Sequence, residues 1–414
     1  MAREAASSAR HLGRALLPLG LAYLATGFST GVVYPFLSLF LSTAVDAGPV
    51  RVTVFLVVAP LSGVAAATLI GWLSDRWPIR RGLIVVAAVA GVIGTALTAV
   101  VRDYWLLLGL TVTATALAAT LFPQTFAYAR QVLIRDRPDR VAFGISALRT
   151  VFSLAWAAGP PLAALLMRAG GFVYLFGTAA LSYAVAALVA IFRLEPLPAS
   201  APASSDGSGE LEVARWRLLL TAAAFTALMT PLTLAVQVLP LFVSVDLGGD
   251  VTDAGLILGL CAALEVPLML ALGAVATRIP VRVLVLFGAA CGVAYYALAA
   301  MASAVWQLVA AQLVDALYIS AGSALGISYM QDMLPRHPGR ATTLFTNTFP
   351  IGAILAGPLF GLAQRFGYRL GFVFAAVLCA AGLLLLVAVR PTERRVTLLT
   401  ENVVEGDPVD YRDV

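Results

Sequence analysis

Three ionisable residues interrupt stretches of sequence that are otherwise almost entirely apolar. Glu265 stands in CAALEVPLM, Asp315 in QLVDALYIS and Arg149 in SALRTVFSLAW. If these stretches cross a bilayer, each ionisable group costs at least about 2.5 kcal/mol and needs a partner or a task. Either acid could carry a proton or accept hydrogen bonds from hydroxyl groups, which makes both candidates for a binding or proton-transfer site.

Each of these three residues also has a structural interpretation. The two acids could form hydrogen bonds between helices, and Gln312 or a serine could satisfy Asp315. Arg149 keeps its charge, so it needs a carboxylate, a carbonyl group or water. It could pair with Glu265 or Asp315, or it could extend to the membrane surface about 10 Å away.

Amide and aromatic side chains within the apolar stretches add candidates for binding a hydroxylated ligand. Amides carry both donors and acceptors, and flat rings pack against apolar ligand faces, although aromatic residues in helices also serve packing. The candidate amides are Gln124, Gln237 and Asn347, and the candidate aromatic residues are Tyr34, Trp156, Tyr318 and Tyr329.

The composition of the 414-residue chain indicates a membrane protein. Hydrophobic residues make up 61% and charged residues 12%, against about 25% charged residues in globular proteins. The apolar runs are continuous and about twenty residues long, which predicts membrane-spanning helices and excludes a β-barrel. The chain shows no HExxH, GxSxG or phosphate-binding motif, and its three cysteines have no metal-binding spacing, so we expect no enzyme, cofactor, metal site or nucleic-acid partner.

The apolar runs predict an all-α membrane protein with twelve transmembrane helices in two pseudo-symmetric six-helix bundles. The first bundle comprises residues 1–193 and the second residues 217–390. Residues 194–216, rich in Pro, Ser, Ala and Gly, predict a linker, and residues 391–414 a polar tail. The basic start followed by a long apolar run predicts a retained first helix rather than a cleaved signal peptide.

The positions of the arginines predict the orientation. With the N-terminus in the cytoplasm, 21 of the 27 basic residues, all of them arginine, fall in cytoplasmic segments. Only five fall on the opposite side, and Arg149 lies within a helix. Because basic residues accumulate on the cytoplasmic side, both termini and the linker are expected there.

Several motifs recur between the two halves at an offset of about 200 residues. LSDRWPIRRG (73–82) is echoed by VATRIPVRVL (275–284), which matches Arg80 with Arg282 and Asp75 with Thr277. QVLIRDRPDR (131–140) is echoed by QDMLPRHPGR (331–340), and Gly159-Pro160 by Gly357-Pro358. Two parallel six-helix repeats are the architecture of secondary transporters, which bind their substrate near the midplane.

The loop IGWLSDRWPIRRG (70–82) resembles the loop motif of the major facilitator superfamily: a glycine, an aspartate four residues on, a basic residue and a basic pair. Pro78 stands where the family usually has glycine, and it replaces a permissive backbone with a fixed φ. Gly159-Pro160 also resembles the superfamily's antiporter motif, although its flanking glycines are mostly replaced here.

This resemblance implies a conformational latch. Asp75 would lie against the start of the eleventh helix, near Arg340 to Thr342, with Arg130 nearby, when the cytoplasmic side is closed. Arg76, Arg80 and Arg81 would hold the loop in the cytoplasm and meet anionic lipid head groups. The alternative is a loop that serves topology alone.

Five further stretches are similar to the bacterial sugar efflux transporter family: FPQTFAYAR (122–130), SLAWAAGPPLA (153–163), CAALEVPLM (261–269), QDMLP (331–335) and ATTLFTN (341–347). They imply export of sugars or glycosides by alternating access, driven by inward proton flow, by a monomer in the bacterial inner membrane. A drug or lipophilic metabolite is the alternative substrate. A membrane-embedded enzyme or sensor is the alternative class, without clustered catalytic residues or a soluble output domain to support it.

Overall fold

The structure is a computed structural model that describes residues 2–136, 141–197, 214–334 and 338–389. Every regular element in these ranges is helical. The α-helices are α1 (Ala2–Val33), α2 (Leu37–Thr43), α3 (Pro49–Arg76), α4 (Arg80–Val100), α5 (Tyr104–Leu110), α6 (Ala116–Ala119), α7 (Leu121–Asp136), α8 (Val141–Arg193), α9 (Arg215–Leu241), α10 (Val251–Val275), α11 (Val281–Met301), α12 (Val305–Met333), α13 (Pro338–Thr346), α14 (Thr348–Phe366) and α15 (Arg369–Ala388).

Short irregular turns join several of these helices into longer ones. A 3₁₀ turn (Tyr34–Phe36) joins α1 to α2, and π-helical turns at Thr111–Thr115 and Phe242–Asp246 extend α5 and α9. Pro35 explains the first break, because proline has no N–H to continue the ladder. In the segment Tyr104–Asp136 the joined helices are long enough to cross a bilayer although its individual parts are short.

Eleven helical segments in the described ranges are long and apolar enough to span a membrane. One of them, Thr150–Arg193, has 44 residues and would be about 66 Å long as a straight helix, roughly twice the thickness of a bilayer core. Its backbone leaves the helical region at Gly170 and Gly171, and Gly171 has φ 63°. The predicted all-helical membrane fold is confirmed, whereas the count of twelve remains a prediction.

The helices before residue 194 form the first half of the chain, and those after residue 214 form the second half. Within the first half, α8 packs along α1 and α4; within the second, α9 packs on α14 and α15, and α12 on α10 and α11. The halves meet where α3 lies along α14 and where α8 lies along α10.

Glycines allow close approach at both of these seams. A Cβ atom added to Gly357 would lie 2.7 Å from the Val57 side chain, and one added to Gly255 would lie 2.7 Å from the carbonyl oxygen of Pro160. Small residues at such interfaces let helix backbones pack tightly in the absence of a hydrophobic driving force. The two seams therefore hold the halves together at positions that correspond between them, since Pro160 and Gly357 belong to the repeated Gly-Pro pairs.

The two ends of the molecule differ in the loops that they carry. The arginine-rich end carries the loops at 77–79 and 276–280, and the opposite end carries those at 44–48, 247–250 and 367–368. Both glycine seams lie toward the opposite end, and Gln364 adds hydrogen bonds there from α14 to Ser42 Oγ at 3.2 Å and to the Ala47 carbonyl at 3.3 Å.

The arginines near residue 80 do more than mark topology. Arg81 donates to the carbonyl groups of Ala190 and Ile191, near the end of α8, and Arg282 donates to Leu386, Val387 and Val389, at the end of α15. These arginines satisfy carbonyl groups that a helix C-terminus leaves without partners. The structural counterpart of Arg282 is therefore Arg81, one residue away from the match to Arg80 that the sequence echo indicated.

The predicted linker differs from the structure at both of its edges, and the rest of the linker and the predicted tail lie outside the described residues. In the predicted linker, Leu194 and Leu197 are buried, and the Tyr128 hydroxyl contacts the backbone N–H and carbonyl of Glu195. These contacts fix residues 194–197 to the first half, and α9 already begins at Arg215. The remainder of the linker, residues 198–213, and the tail from residue 390 lie outside the described ranges.

Asp250 begins α10 with a capping box. Its Oδ1 accepts from the N–H groups of Thr252 at 2.7 Å and Asp253 at 3.0 Å, and the Asp253 side chain accepts from the Asp250 N–H. Arg168 of the first half lies 3.6 Å from the same carboxylate. The hydrogen bond from the Asp253 amide, with smaller contributions from Thr252 and Arg168, holds the pKa of Asp250 below its usual value near 3.8.

We expect Asp250→Ala to lower the free energy of unfolding by about 1 kcal/mol at neutral pH, the usual cost of losing an N-cap. Because the folded pKa is depressed, this stabilisation is present above about pH 4 and disappears as the pH falls through the folded value. Unfolding in detergent at pH 7 and pH 3 measures it, with the exposed Asp246→Ala as control. Equal losses of stability at both pH values would contradict the assignment.

Candidate functional site

A cavity of about 590 Å³, the central cavity, lies between the two halves. The 3₁₀ turn and α8 of the first half form one wall, and α9, α10, α11, α12, α14 and α15 of the second half form the other. Most of its lining is apolar, from residues such as Leu232, Ile257, Val266, Met269 and Phe349. Its polar groups are few, as in ligand pockets where a small number of polar atoms fix the orientation of the ligand.

Both predicted acids line the central cavity. Asp315 on α12 is buried, and its Oδ2 accepts a hydrogen bond from the Cys261 thiol at 3.5 Å. Its other oxygen, Oδ1, has no hydrogen-bond partner among the described groups. Glu265 on α10 is half-buried and lies one turn beyond Cys261. The structure thus places the two carboxyl groups on one wall of one cavity, although they are 50 positions apart in the chain.

Gln312, the group that could have satisfied Asp315, is engaged elsewhere. Its amide donates to the Tyr295 hydroxyl at 3.2 Å and to the Leu308 carbonyl at 3.0 Å. Ser320 donates to the backbone carbonyl of Glu265 at 3.2 Å, one of the carbonyls near Pro267. Gln312 and Ser320 therefore leave the carboxyl groups to other partners: Cys261 engages Oδ2 of Asp315, while Oδ1 of Asp315 and the Glu265 carboxyl group face the cavity without a hydrogen bond from these two side chains.

Sequence reasoning missed Cys261 and Tyr295 as members of this wall. The signal for Cys261 was present, because Cys261 and Glu265 are four residues apart and share one helix face. Tyr295 reaches the wall from α11, and no spacing within the sequence connects it to α12. Its place depends on the packing of α11 against α12.

The opposite wall of the central cavity carries Tyr34 and Trp156, two of the aromatic residues that the sequence offered for a ligand's apolar faces. Their ring centroids are 6.0 Å apart at an angle of 47°. Glycines bring the two helices this close: a Cβ at Gly31 would lie 3.1 Å from the Trp156 backbone, and one at Gly159 would lie 2.5 Å from the Gly31 backbone. The glycine of Gly159-Pro160 therefore serves the packing that positions Trp156.

A second cavity of about 530 Å³ adjoins the first, and the two share Tyr34, Phe152, Thr233, Pro350 and Ala353. Its lining is apolar with scattered hydroxyl groups from Thr26, Ser29, Thr30, Thr95 and Thr115. Among the residues that the structure describes, carboxyl groups line the central cavity and not this one. Tyr34 stands at the junction of the two spaces.

Four other candidates lie outside the lining of both cavities. Gln124 is buried within the first half, and its Oε1 has no hydrogen-bond partner among the described groups. Asn347 is exposed at the break between α13 and α14, with no capping hydrogen bond. Tyr318 donates to the Leu228 carbonyl, and Tyr329 packs edge-on against Phe225. Their proposed contact with a ligand stays a prediction.

Gln237 is occupied by the backbone of the first half. Its Oε1 accepts from the Ser38 N–H at 3.2 Å, and its Nε2 donates to the Tyr34 carbonyl at 2.8 Å. The Ser38 hydroxyl in turn donates to the Gln237 carbonyl at 2.5 Å. Both ends of the amide are thus used between the halves, whereas the sequence suggested an amide free to bind hydroxyl groups.

Arg149 lies in α8, and its side chain is outside the described part of the structure. Its predicted pairing with Glu265 or Asp315 therefore stays a prediction. Among the described residues, no arginine forms an ion pair with either acid.

The residues of the predicted latch form contacts within their own loop. The Asp75 carboxylate accepts from Arg80 Nη2 at 2.9 Å, and its side chain is 68% exposed. Arg80 is buried, which corrects the expectation that it meets lipid head groups. Arg76 stacks over the Trp72 ring at 4.1 Å, and Arg130 is exposed. The contact with the eleventh helix was predicted for a closed arginine-rich end and stays a prediction.

The chain matches the sequence profile of the Major Facilitator Superfamily over residues 19–287 and 223–406. A putative sugar efflux transporter of Deinococcus radiodurans is 33% identical over 91% of this chain and 98% of its own length. Sugar efflux transporter A of Dickeya chrysanthemi is 32% identical over 87% of this chain and 92% of its own length. Sugar efflux transporter B of Salmonella typhimurium is 33% identical over 89% and 95%.

Solved structures share the fold at low sequence identity. The nucleoside transporter NupG aligns with a TM-score of 0.70 at 14% identity over 91% of this chain and 98% of its own. An auto-inhibited peptide transporter of the POT family aligns with a TM-score of 0.73 at 14% identity over 97% and 99%. At these identities the likeness concerns the arrangement of helices.

Proposed function

The chain belongs to the Major Facilitator Superfamily and is a transporter rather than an enzyme, and on that premise we propose that it exports sugars or glycosides in exchange for protons. The proposed mechanism is alternating access, in which the two halves rock about the central cavity. The names of the relatives support the substrate class, and the polar groups of the cavity support a hydroxylated ligand.

The observation that carries the proposal is the asymmetry of the central cavity. One wall presents Glu265 and Asp315, and the other presents Trp156 and Tyr34. A sugar has hydroxyl groups that bond to carboxyl oxygens and an apolar ring face that packs on aromatic rings. A carboxyl group can also bind and release a proton, so the same wall can couple substrate and proton binding.

The proposed topology has twelve spans in two six-helix halves, with both termini in the cytoplasm of a bacterium and the chain in its inner membrane. The break at Gly170 and Gly171 supports dividing the 44-residue segment into two spans. The arginine-rich end would then face the cytoplasm. The seams at the opposite end support a conformation in which the outer side is closed. We propose that the protein functions as a monomer in the lipid bilayer.

The largely apolar lining of the central cavity also suits an alternative substrate, a lipophilic metabolite or drug. The two candidates differ in what should displace a bound sugar. A hydroxylated ligand depends on the carboxyl wall, whereas a lipophilic ligand depends on the surrounding aliphatic surface.

The proposal is tested with purified protein in proteoliposomes. A panel of radiolabelled mono- and disaccharides and a panel of lipophilic compounds are measured with and without an imposed pH gradient. Saturable sugar movement that follows the gradient supports sugar export with proton exchange. If no sugar moves or exchanges under either condition, the substrate proposal fails. If sugar moves but ignores the pH gradient, only the proton coupling fails.

The latch prediction can be tested through Asp75. We expect Asp75→Asn to slow turnover about fivefold with little change in substrate affinity, because a carboxylate at a helix N-terminus is worth up to about 1 kcal/mol. The measurement is the turnover and KM for sugar movement in proteoliposomes. Asp332→Asn, which removes another exposed carboxylate at the arginine-rich end, is the matched control. A large loss of affinity with normal turnover would contradict the latch.

A further inference from the structure

The break between α1 and α2 is occupied by a side chain of the other half of the chain. In a continuous α-helix, the Ser38 N–H would donate to the carbonyl of Tyr34, four residues earlier. In the structure the Leu37 N–H donates to that carbonyl, as in a 3₁₀ turn. The Gln237 amide lies between the Ser38 N–H and the Tyr34 carbonyl: its oxygen accepts from the Ser38 N–H, and its nitrogen donates to the Tyr34 carbonyl.

This bridge is buried and chemically matched. Gln237 is 2% exposed and Ser38 is fully buried, so an unmet hydrogen bond would be costly for both partners. An amide is suited to the position because it offers one acceptor and donors on a single planar group, as the interrupted backbone pair requires. Insertion of a side chain into the helix ladder is also a recognised cause of a local kink.

The sequence allows this bridge only from the second half to the first, and not from the first half to the second. LSLF (37–40) and LPLF (239–242) correspond at an offset of 202, so Ser38 corresponds to Pro240 and Gln237 to Pro35. Proline has no N–H and no amide side chain, so the mirror-image bridge cannot form. The first half therefore carries the interrupted segment, and the second half carries the amide that bridges it.

We propose that Gln237 is a positioning residue that holds Tyr34 at the junction of the two cavities while the opposite end is closed. When the halves separate at that end, the amide leaves, and the Ser38 N–H and the Tyr34 carbonyl can bond to each other. The segment then gains the hydrogen bond from Ser38 to Tyr34, although Pro35 still interrupts the ladder one residue further on, and Tyr34 turns away from Trp156. Closure of the opposite end and the shape of the substrate site are linked through one amide.

The direct test follows the environment of Trp156 by fluorine NMR. The protein is labelled with 5-fluorotryptophan, and Trp156→Phe assigns its signal among the six tryptophans. Gln237→Leu should shift the Trp156 signal, because the Tyr34 ring 6.0 Å away changes position. Gln364→Leu is the matched control, since Gln364 also joins the halves at this end but does not enter a helix ladder.

A second readout follows the opening of the opposite end. Ala47→Cys, which is buried in the closed state, is labelled with a membrane-impermeant maleimide. Loss of two hydrogen bonds of ordinary strength predicts labelling about tenfold faster in Gln237→Leu. Gln237→Met serves as the second variant if the leucine protein does not fold. Gln237→Glu keeps an acceptor for the Ser38 N–H, so its labelling rate should lie between those of the original protein and Gln237→Leu.

The inference rests on the proposed function only for its transport readout. In sugar transport we expect Gln237→Leu to raise KM more than it lowers kcat, because the Tyr34 wall is displaced. If neither variant moves the Trp156 signal, or if Gln364→Leu moves it equally, the positioning role is overturned. If the NMR and labelling results hold but no sugar is transported, the positioning role stands and the proposed substrate fails.

Discussion

Proteoliposomes that contain Glu265→Gln are expected to move sugar without responding to an imposed pH gradient. Glutamine keeps the size and the hydrogen-bonding capacity of the side chain but cannot release or bind a proton in this range. Gradient-driven sugar accumulation should therefore fall at least about tenfold, to the level of exchange alone. The measurement compares uptake with a pH gradient against sugar exchange without one, in the same vesicles.

Glu265→Asp is the matched control, because it keeps a carboxyl group and shortens the side chain by one methylene. It should retain part of the response to the gradient. Asp315→Asn distinguishes the role of Asp315 from that of Glu265, since Asp315 is more buried and already contacts the Cys261 thiol. If Glu265→Gln keeps a full response and Asp315→Asn loses it, the coupling residue is Asp315. If both variants respond normally, neither acid couples proton to substrate.

Gly159→Ala is expected to destabilise the protein by about 3 kcal/mol, at the upper end of the usual cost of overpacking. A Cβ there would lie 2.5 Å from the backbone carbon of Gly31, and a backbone atom cannot rotate away as a side chain can. The contact joins α1 to α8 and positions Trp156 opposite Tyr34. Reversible unfolding in mixed micelles measures the loss of stability.

Gly177→Ala is the control, at a helical position of α8 beyond the break at Gly170 and Gly171, because a Cβ at Gly177 meets nothing within 4 Å. It should leave the free energy of unfolding almost unchanged. In sugar binding, Gly159→Ala should also weaken affinity because it pushes the aromatic wall apart. A Gly159→Ala protein as stable as the Gly177→Ala protein would show that helices α1 and α8 can separate at no cost.

The acids and the amides differ in how fully the local sequence specifies their roles. Glu265 and Asp315 were identifiable because a carboxyl group in an apolar run is costly wherever the run packs. Gln237 was equally conspicuous, but an amide can bind a ligand or another helix with the same atoms. Its actual partners are backbone groups 199 and 203 residues away, and no local pattern specifies such distant partners.

The arginines near residue 80 show the same difference between what the local sequence specifies and what depends on distant contacts. Counting them predicted an orientation, because charge at the ends of apolar runs follows a simple rule. Their separate tasks were not predicted: Arg81 serves the end of α8, whereas Arg80 is buried against Asp75. The sequence echo shifted the match by one residue, because the helix that follows the loop starts at Arg80 in the first half and at Val281 in the second.

The sequence by itself determined that this is a helical membrane protein, which family it belongs to, and which acids lie among its apolar helices. These properties follow from composition, from periodicity and from short motifs, all of which are local in the chain. Only the tertiary structure decided that Glu265, Asp315, Tyr34 and Trp156 share one cavity and that Gln237 enters the ladder of another helix. Such contacts depend on how helix faces pack, and glycines such as Gly31 and Gly159 set how closely those faces approach.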